Sequence, residues 1–197
     1  MLRFIGRTWL RVFGWKLESK TELPRRFVFI AAPHTTNWDF PFMMATAWAL
    51  DIRIRWLGKH TLFEPPFGWF FRAMGGLPVD RRAPQGLVGQ VVERFESATD
   101  LVLGIPPEGT RSKVDYWKSG FYHIAHGAKV PVGLGFLDFE KRTCGIGGFF
   151  MPTGDMRADM NIVRDFYHDV RGKFPDLECV PRLREEDAVV EAAQTAA

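Results

Sequence analysis

A histidine and an aspartate stand close together in the sequence, just after an apolar segment. His34 and Asp39 are five positions apart, which on one continuous helix would place them about 140° apart around the helix axis. They meet only if His34 lies in a turn and Asp39 in the first turn of a helix. Asp39 would then bind one ring nitrogen of His34 and leave the other free as a general base. A structural hydrogen bond would use the same two residues, so the pair alone leaves both interpretations open.

A second polar cluster follows another apolar segment. Arg111 can donate two hydrogen bonds to a phosphate, and the hydroxyls of Thr110 and Ser112 can add others. Gly109 lets backbone amides approach such a ligand closely. The alternative is an ordinary capped turn with an ion pair between Glu108 and Arg111. The cluster is therefore either a phosphate site or a structural turn.

A third segment, residues 75–82, contains two adjacent glycines followed by two adjacent arginines, the first of which is Arg81. Such a segment adds basic groups to an anionic site if it lies near the other two clusters. Otherwise it is an ordinary turn that leads into an exposed strand. The residues themselves leave both interpretations open.

Other chemistries lack the residues that they need. A serine hydrolase of the α/β class would require a G-x-S-x-G pentapeptide, and none occurs. His123 and His126 form an H-x-x-H pair without an identifiable third zinc ligand. Cys144 and Cys179 form no C-x-x-C pair and are too few for a disulfide framework. We therefore expect no metal site, and the cysteine content is typical of a reducing cytoplasm.

The elements that must position these residues alternate between strands and helices. Apolar runs and turn signals predict strands at residues 15–19, 27–32, 52–57, 101–105, 130–139 and 143–151. Helical periodicity indicates helices at residues 2–13, 39–50, 67–74, 85–97, 120–127 and 159–173. This alternation predicts a single α/β domain, with a mixed, mostly parallel sheet flanked by helices.

Length and charge define the organisation of the chain. Its 197 residues fit one domain, which we place at residues 15–181, preceded by a helix at residues 1–14 and followed by an acidic, frayed tail at residues 182–197. A formal net charge of +3 is too small to predict nucleic-acid binding. The positive charge is concentrated in the first 20 residues, which hold five basic side chains and one acidic side chain.

The N-terminal segment is predicted to form a basic amphipathic helix. Its arginines, Arg3, Arg7 and Arg11, share one side, whereas bulky apolar residues such as Ile5 and Trp9 spread over the other. Such a helix can lie in the interface of an anionic membrane, or it can pack on its own domain with a solvated arginine face. Polar and proline residues interrupt the longest apolar window, residues 27–50, so we expect no spanning helix.

Taken together, the polar clusters resemble the sequence blocks of the lysophospholipid acyltransferases, the family of glycerol-3-phosphate and 1-acylglycerol-3-phosphate acyltransferases. His34 and Asp39 match the H-x4-D motif, and residues 107–112 reproduce the P-E-G-T-R-S block. Residues 76–81 resemble the second block and residues 130–132 the fourth. Further matches between the blocks are Gly58-Lys59, Leu62-Phe63, Gly68-Trp69, Arg72 and Lys118-x-Gly120. The resemblance spans residues 27–136.

The resemblance implies direct acyl transfer from a thioester, acyl-CoA or acyl carrier protein, to a lipid hydroxyl. His34 would act as the general base, assisted by Asp39, without a metal or bound cofactor. An anionic head group such as the acceptor's phosphate would be bound by Glu108, Gly109, Thr110, Arg111, Arg81 and Lys59. Backbone amides around Gly109 would be candidates for stabilising the oxyanion.

The resemblance also implies a location and leaves the acceptor open. The acceptor would be a lysophospholipid such as 1-acylglycerol-3-phosphate, and the protein would be peripheral on the cytoplasmic face of the membrane. Pro33 and Pro106 depart from the family pattern and indicate a divergent small subfamily, for which another lysolipid, such as a lyso-aminolipid, is an alternative acceptor. A non-enzymatic peripheral membrane-binding protein is the alternative of a different class, in which His34 would be structural.

Overall fold

The structure, a computed structural model, describes residues 1–19, 22–79 and 86–187 of the chain. Its strands are β1 (Lys16–Ser19), β2 (Arg26–Ala32), β3 (Ile54–Lys59), β4 (Gly76–Val79), β5 (Leu101–Ile105), β6 (Val132–Asp138) and β7 (Thr143–Phe150). They form one sheet in the order β1-β7-β6-β2-β5-β3-β4. Every neighbouring pair is parallel except β6 and β7. The predicted mixed, mostly parallel sheet is therefore confirmed.

Helices cover both faces of this sheet. They are α1 (Leu2–Val12), α2 (Asp39–Ala49), α3 (Gly68–Ala73), α4 (Gly86–Ser97), α5 (Gly120–Ala128) and α6 (Met156–Tyr167). On one face, buried residues of α4, α5 and α6 form the largest apolar cluster. On the other face, α1 and α2 contribute to two smaller clusters. Among the described residues, no helix is long and apolar enough to cross a membrane.

The central strand β2 explains why its sequence reads as a continuous apolar run. Phe27 and Phe29 pack on the side of α2, whereas Val28 and Ile30 pack on the side of α4, α5 and α6. All four side chains are buried. Alternate residues of a strand point to opposite faces, so a strand that is covered on both faces must be apolar throughout. The carboxyl end of β2 is consequently held in a fixed position in the middle of the sheet.

Helix α1 packs on its own domain through one side. Gly6 and Leu10 are buried, and a Cβ at Gly6 would lie 2.4 Å from the carbonyl oxygen of Ala45 in α2. This close crossing requires glycine. Phe4 and Val12 are each 75% exposed, and all three arginines of the helix are exposed. One side of the helix therefore packs on the domain, as one of the two interpretations predicted. The other side presents basic and apolar side chains to solvent.

Several predicted boundaries are wrong. The helix predicted at residues 159–173 runs instead from Met156 to Tyr167, and it begins early because the carboxylate of Asp155 accepts a hydrogen bond from the Ala158 amide. The strand predicted from residue 52 begins at Ile54. In the segment of residues 75–82, the described part forms the edge strand β4 beside β3, which agrees with the turn-into-strand alternative.

The predicted frayed tail also needs correction. Residues 182–187 pack on the domain: Leu183 is fully buried and pairs with Trp117, and Glu186 accepts a 2.8 Å hydrogen bond from Arg164 of α6. Apolar burial and a partly buried ion pair therefore hold this part of the chain in place. Residues 188–197 lie outside the described part of the structure.

Candidate active site

The turn between β2 and α2 brings His34 and Asp39 together. β2 ends at Ala32 and α2 begins at Asp39, so His34 lies in the turn and Asp39 is the first residue of the helix. The Nδ1 atom of His34 lies 3.0 Å from Oδ2 of Asp39. A carboxylate can only accept, so this contact places the ring proton on Nδ1 and leaves the lone pair of Nε2 available. The imidazole is therefore oriented as a base.

One oxygen of Asp39 organises the whole turn. Oδ2 also accepts hydrogen bonds from the backbone amides of Thr35 and Thr36, at 2.9 and 3.0 Å. Both threonines and Asp39 are buried. Because three N–H groups converge on one carboxylate oxygen, the turn and the imidazole are held in one arrangement. Within the described ranges, the other oxygen, Oδ1, is buried without a hydrogen-bond partner.

Glu108 holds the same turn from the neighbouring strand. β2 and β5 are parallel and Ile30 pairs with Ile105, so the segments that follow them lie side by side at one edge of the sheet. Oε1 of Glu108 accepts a 3.0 Å hydrogen bond from the backbone amide of His34. Two motifs that are 74 residues apart in sequence are thus joined by one bond.

Glu108 is the most buried of the described residues that were predicted to bind the head group. Its side chain is buried, with only 4% of the residue exposed, and it does not line the neighbouring cavity. Burial raises the pKa of Glu108 from 4.5 to about 7, against the lowering effect of backbone hydrogen bonds. Among the described residues, Oε2 has no hydrogen-bond partner. The geometry makes Glu108 a support for His34.

A cavity of about 330 Å³ opens beside His34 and Asp39. Its lining is mostly apolar and comes from α2, the connection from α2 to β3, and the strands, including Phe40, Met43, Ala47, Leu50, Ile52 and Ile146. Gly104 and Gly135 also line it, and a Cβ at these positions would lie 2.7 and 2.5 Å from the ring of Phe29. Small residues on both neighbouring strands therefore leave space for that ring. The volume and lining are those of a small-molecule pocket.

Comparison with known proteins identifies the family of the chain. The sequence pattern of the family described as Acyltransferase matches residues 15–133 of the chain. The chain belongs to this acyltransferase family. The match contains the turn of His34 and Asp39, the segment of Glu108, and most of the cavity lining.

Two known proteins are similar to this chain, one in sequence and one in fold. A 1-acyl-sn-glycerol-3-phosphate acyltransferase of Streptococcus pneumoniae is 33% identical over 103 residues, which cover 52% of this chain and 38% of the relative. The crystal structure of the 1-acyl-sn-glycerophosphate acyltransferase PlsC of Thermotoga maritima superposes with a TM-score of 0.61 at 16% identity. That superposition covers 87% of this chain and 79% of PlsC, and it shows a common fold.

The fold does not bring all the predicted head-group residues to the cavity. Gly109 lines it, and its own amide donates a 3.1 Å hydrogen bond to the carbonyl of Pro106. The oxyanion role of the amides around Gly109 stays a prediction. Thr110 uses its hydroxyl to accept from the Ser112 amide. Arg111 and Lys59 are exposed and lie outside the cavity lining, and Arg81 falls outside the described residues.

Lys118 is a site residue that the sequence reasoning did not assign. Among the described residues that line the cavity, it is the only lysine or arginine. Its ammonium group lies close to Gly109, because a Cβ at Gly109 would be 2.5 Å from Nζ. The Lys118 amide is fixed by a 2.8 Å hydrogen bond to the Pro107 carbonyl. The Lys118-x-Gly120 match was the signal that pointed to this position.

Proposed function

We propose that this acyltransferase moves a fatty acyl group from a thioester donor, acyl-CoA or acyl carrier protein, to the hydroxyl of a lysophospholipid such as 1-acylglycerol-3-phosphate. The observation that carries the proposal is the 3.0 Å contact between His34 and Asp39 beside an apolar cavity. The printed activities of both relatives, which act on acylated glycerol phosphates by name, support the choice of acceptor.

The chemistry follows from the orientation of the imidazole. Nε2 of His34 takes the proton of the acceptor hydroxyl as its oxygen attacks the thioester carbonyl carbon, and Asp39 stabilises the imidazolium that forms. Collapse of the tetrahedral intermediate completes the new ester and breaks the C–S bond. The imidazolium then returns the proton to the departing thiolate. No acyl-enzyme intermediate is required.

The cavity supports an acyl-chain site, and Lys118 supports an anion site next to it. The apolar lining from α2 and the strands favours hydrocarbon. Lys118 lines the same cavity as His34, and its ammonium group suits the acceptor's phosphate. Arg111, Thr110 and Lys59 lie outside the described cavity lining and, like Arg81, stay predicted contributors.

The surface of α1 supports a peripheral location on the cytoplasmic face of the membrane. Exposed arginines and exposed apolar side chains such as Phe4 and Val12 occupy the side of α1 that does not pack on α2. A basic helix with protruding apolar groups binds anionic interfaces. We propose that α1 lies against the bilayer from which the acceptor is taken.

The test supplies radiolabelled acyl-CoA and acyl carrier protein with a panel of lysolipids and identifies the acylated product. His34→Ala is expected to lower kcat by about a hundredfold or more, because general base catalysis contributes at least that factor. The matched control is His168→Ala, which removes another histidine that is paired with an aspartate, Asp169, at 2.8 Å on the exposed surface. This control is expected to leave the rate unchanged.

Two outcomes would contradict the proposal. A folded His34→Ala protein with the full transfer rate would show that His34 is structural. Binding of the wild-type protein to vesicles without thiol release from either donor would favour a membrane-binding protein instead. A product formed only from a lyso-aminolipid would retain the mechanism and replace the acceptor.

A further inference from the structure

The segment around α3 is firmly anchored to the domain. Its anchor is Phe63, a buried residue in the 3-10 turn His60–Phe63 that precedes α3. Gly68 packs on the backbone of this residue, since a Cβ there would lie 2.0 Å from the Phe63 carbonyl oxygen. At the other end, Nε1 of Trp56 donates a 3.0 Å hydrogen bond to the carbonyl of Met74. The side chains of this segment are thus presented from a fixed backbone.

Four large apolar side chains of this segment point outward. Phe67 is 66% exposed and Trp69 is 72% exposed, and Phe70 and Leu62 are also exposed. Because three of the four are aromatic, we call these four residues the aromatic surface. Since Phe63 provides the buried anchor, the aromatic surface contributes little to packing within the chain. Grouped exposed apolar residues on a folded domain mark a surface that contacts something else.

The charges around the aromatic surface select the kind of partner. Lys59, His60 and Arg72 are exposed in this segment, against one exposed acid, Glu64. The guanidinium of Arg72 lies 5.3 Å from the centre of the Phe63 ring, which holds it beside the aromatic surface. Tryptophan beside arginine and lysine suits the head-group region of a bilayer with anionic lipids. A second copy of the chain bound through the same surface would instead bring the basic side chains of the two copies together, which is unfavourable.

The aromatic surface is continuous with the cavity. Trp69 contacts Phe70, which contacts Phe71, with ring centres 6.1 and 5.6 Å apart. Phe71 then contacts Trp56 at 6.1 Å, and Trp56 contacts Phe40 at 5.8 Å. Trp56 and Phe40 both line the cavity beside His34. An unbroken row of rings therefore runs from the protein surface to the candidate active site.

We propose that the aromatic surface inserts into the interface of an anionic bilayer and forms a lipid contact separate from α1, on the side where the cavity wall reaches the surface. A lipid that leaves the bilayer there passes along aromatic rings instead of through water. This direction of transfer rests on the proposed function, whereas the contact with the bilayer does not.

The test measures binding to vesicles of phosphatidylcholine with or without phosphatidylglycerol, by co-sedimentation. It uses the full chain carrying His34→Ala, so that turnover plays no part. Adding Trp69→Ala and Phe70→Ala is expected to lower the partition coefficient for vesicles with phosphatidylglycerol by about tenfold or more, because two large apolar groups no longer enter the interface. Vesicles of phosphatidylcholine alone are expected to bind the parent protein more weakly.

The matched control carries Ile162→Ala and Val180→Ala, two other exposed apolar residues, and is expected to bind like the parent. A milder variant, Trp69→Phe, keeps the apolar side chain and removes one indole. It is expected to lower the quenching of tryptophan fluorescence by brominated lipids while the partition coefficient changes less than threefold, about 0.6 kcal/mol. Thermal unfolding confirms that each variant is folded.

Three results would overturn the inference. The first is an unchanged partition coefficient in the folded double variant. The second is an equal loss of binding in the control. The third is concentration-dependent dimers of the parent in ultracentrifugation that the double variant abolishes without loss of vesicle binding, since a second copy would then occupy the surface. If vesicle binding behaves as expected but no acyl transfer is found, the proposed function fails and this inference stands.

Discussion

Two carboxylates act on His34 from different directions. Asp39 binds the imidazole ring, and Glu108 binds the backbone amide. Both carboxylates are buried, and each has one oxygen without a hydrogen-bond partner in the described ranges. Asp39 sets the orientation and proton position of the base, whereas Glu108 fixes where the residue lies. A positioning role for Glu108 predicts that the loss of its hydrogen bond and the loss of its charge have different effects.

Glu108→Ala removes the acceptor for the His34 amide, so we expect kcat to fall by about tenfold or more with little change in the acceptor KM. Glu108→Gln keeps an oxygen at the same position, and we expect it to restore most of kcat. Steady-state kinetics on the two variants decides between the roles. A large rise in acceptor KM with unchanged kcat in both variants would instead support direct head-group binding by Glu108.

Glu108→Gln is also expected to change how the stability of the fold depends on pH. The pKa of Glu108 is raised from 4.5 to about 7 by burial, so the native state holds this proton more tightly than the unfolded state. The resulting stabilisation is complete below pH 4.5 and is lost as the pH rises through about 7. Other titratable groups near Glu108 are His34, Asp39, Tyr167 and Cys179. As the pH rises from 4.5 through about 7, we therefore expect the melting temperature of the wild type to fall relative to that of Glu108→Gln, as measured by thermal unfolding.

Lys118 and Arg111 offer two different cations for the acceptor's phosphate. Because Lys118 lines the cavity and Arg111 does not, we expect Lys118→Ala to raise the acceptor KM by about tenfold and Arg111→Ala to raise it less. The control is Lys113→Ala, an exposed lysine outside the cavity lining. A KM that responds to Arg111→Ala alone would return the head-group role to the P-E-G-T-R-S arginine.

At the scale of elements, the crossing of α1 and α2 depends on Gly6. Gly6→Ala places a Cβ 2.4 Å from the Ala45 carbonyl oxygen, so α1 must move away from α2. We expect the free energy of unfolding to fall by about 1–3 kcal/mol, as for other overpacked sites. The higher helix propensity of alanine offsets part of this loss. Chemical denaturation measures this change.

The control for this substitution is Gly120→Ala at the start of α5, where a Cβ would meet no atom within 4 Å. It introduces the same methyl group without the clash and is expected to be neutral or stabilising. If Gly6→Ala is as stable as Gly120→Ala, then α1 does not pack on α2 as closely as the structure shows.

The elements themselves follow closely from the sequence, but the directions of their side chains do not. The strand predicted at residues 101–105 is β5, because a buried parallel strand requires a continuous apolar run. The same pattern cannot tell whether Glu108 faces the cavity or the turn, since that depends on the pairing of β5 with β2. Lys118 reaches the cavity through its contact with Pro107, a tertiary contact that no periodicity encodes.

At the scale of the molecule, the strand order explains how distant motifs meet. β2 lies between β5 and β6 in the middle of the sheet, so its carboxyl end is flanked by the ends of two parallel strands. Ligand sites in open α/β sheets are found outside the carboxyl ends of such strands. The alternation of elements predicted a mixed, mostly parallel sheet, but it left the order of the strands undetermined.

The pairing of β1 with β7 also affects the order in which the chain assembles. Lys16 of β1 pairs with Thr143 of β7, and β7 in turn pairs with β6. During synthesis, β1 emerges early and its partner emerges only after most of the sheet has been made. Pairing across such a long stretch of chain closes a large loop and is slow. The edge of the sheet that contains β1 is therefore expected to form last, so a nascent chain exposes β1 without its partner until β7 has been made.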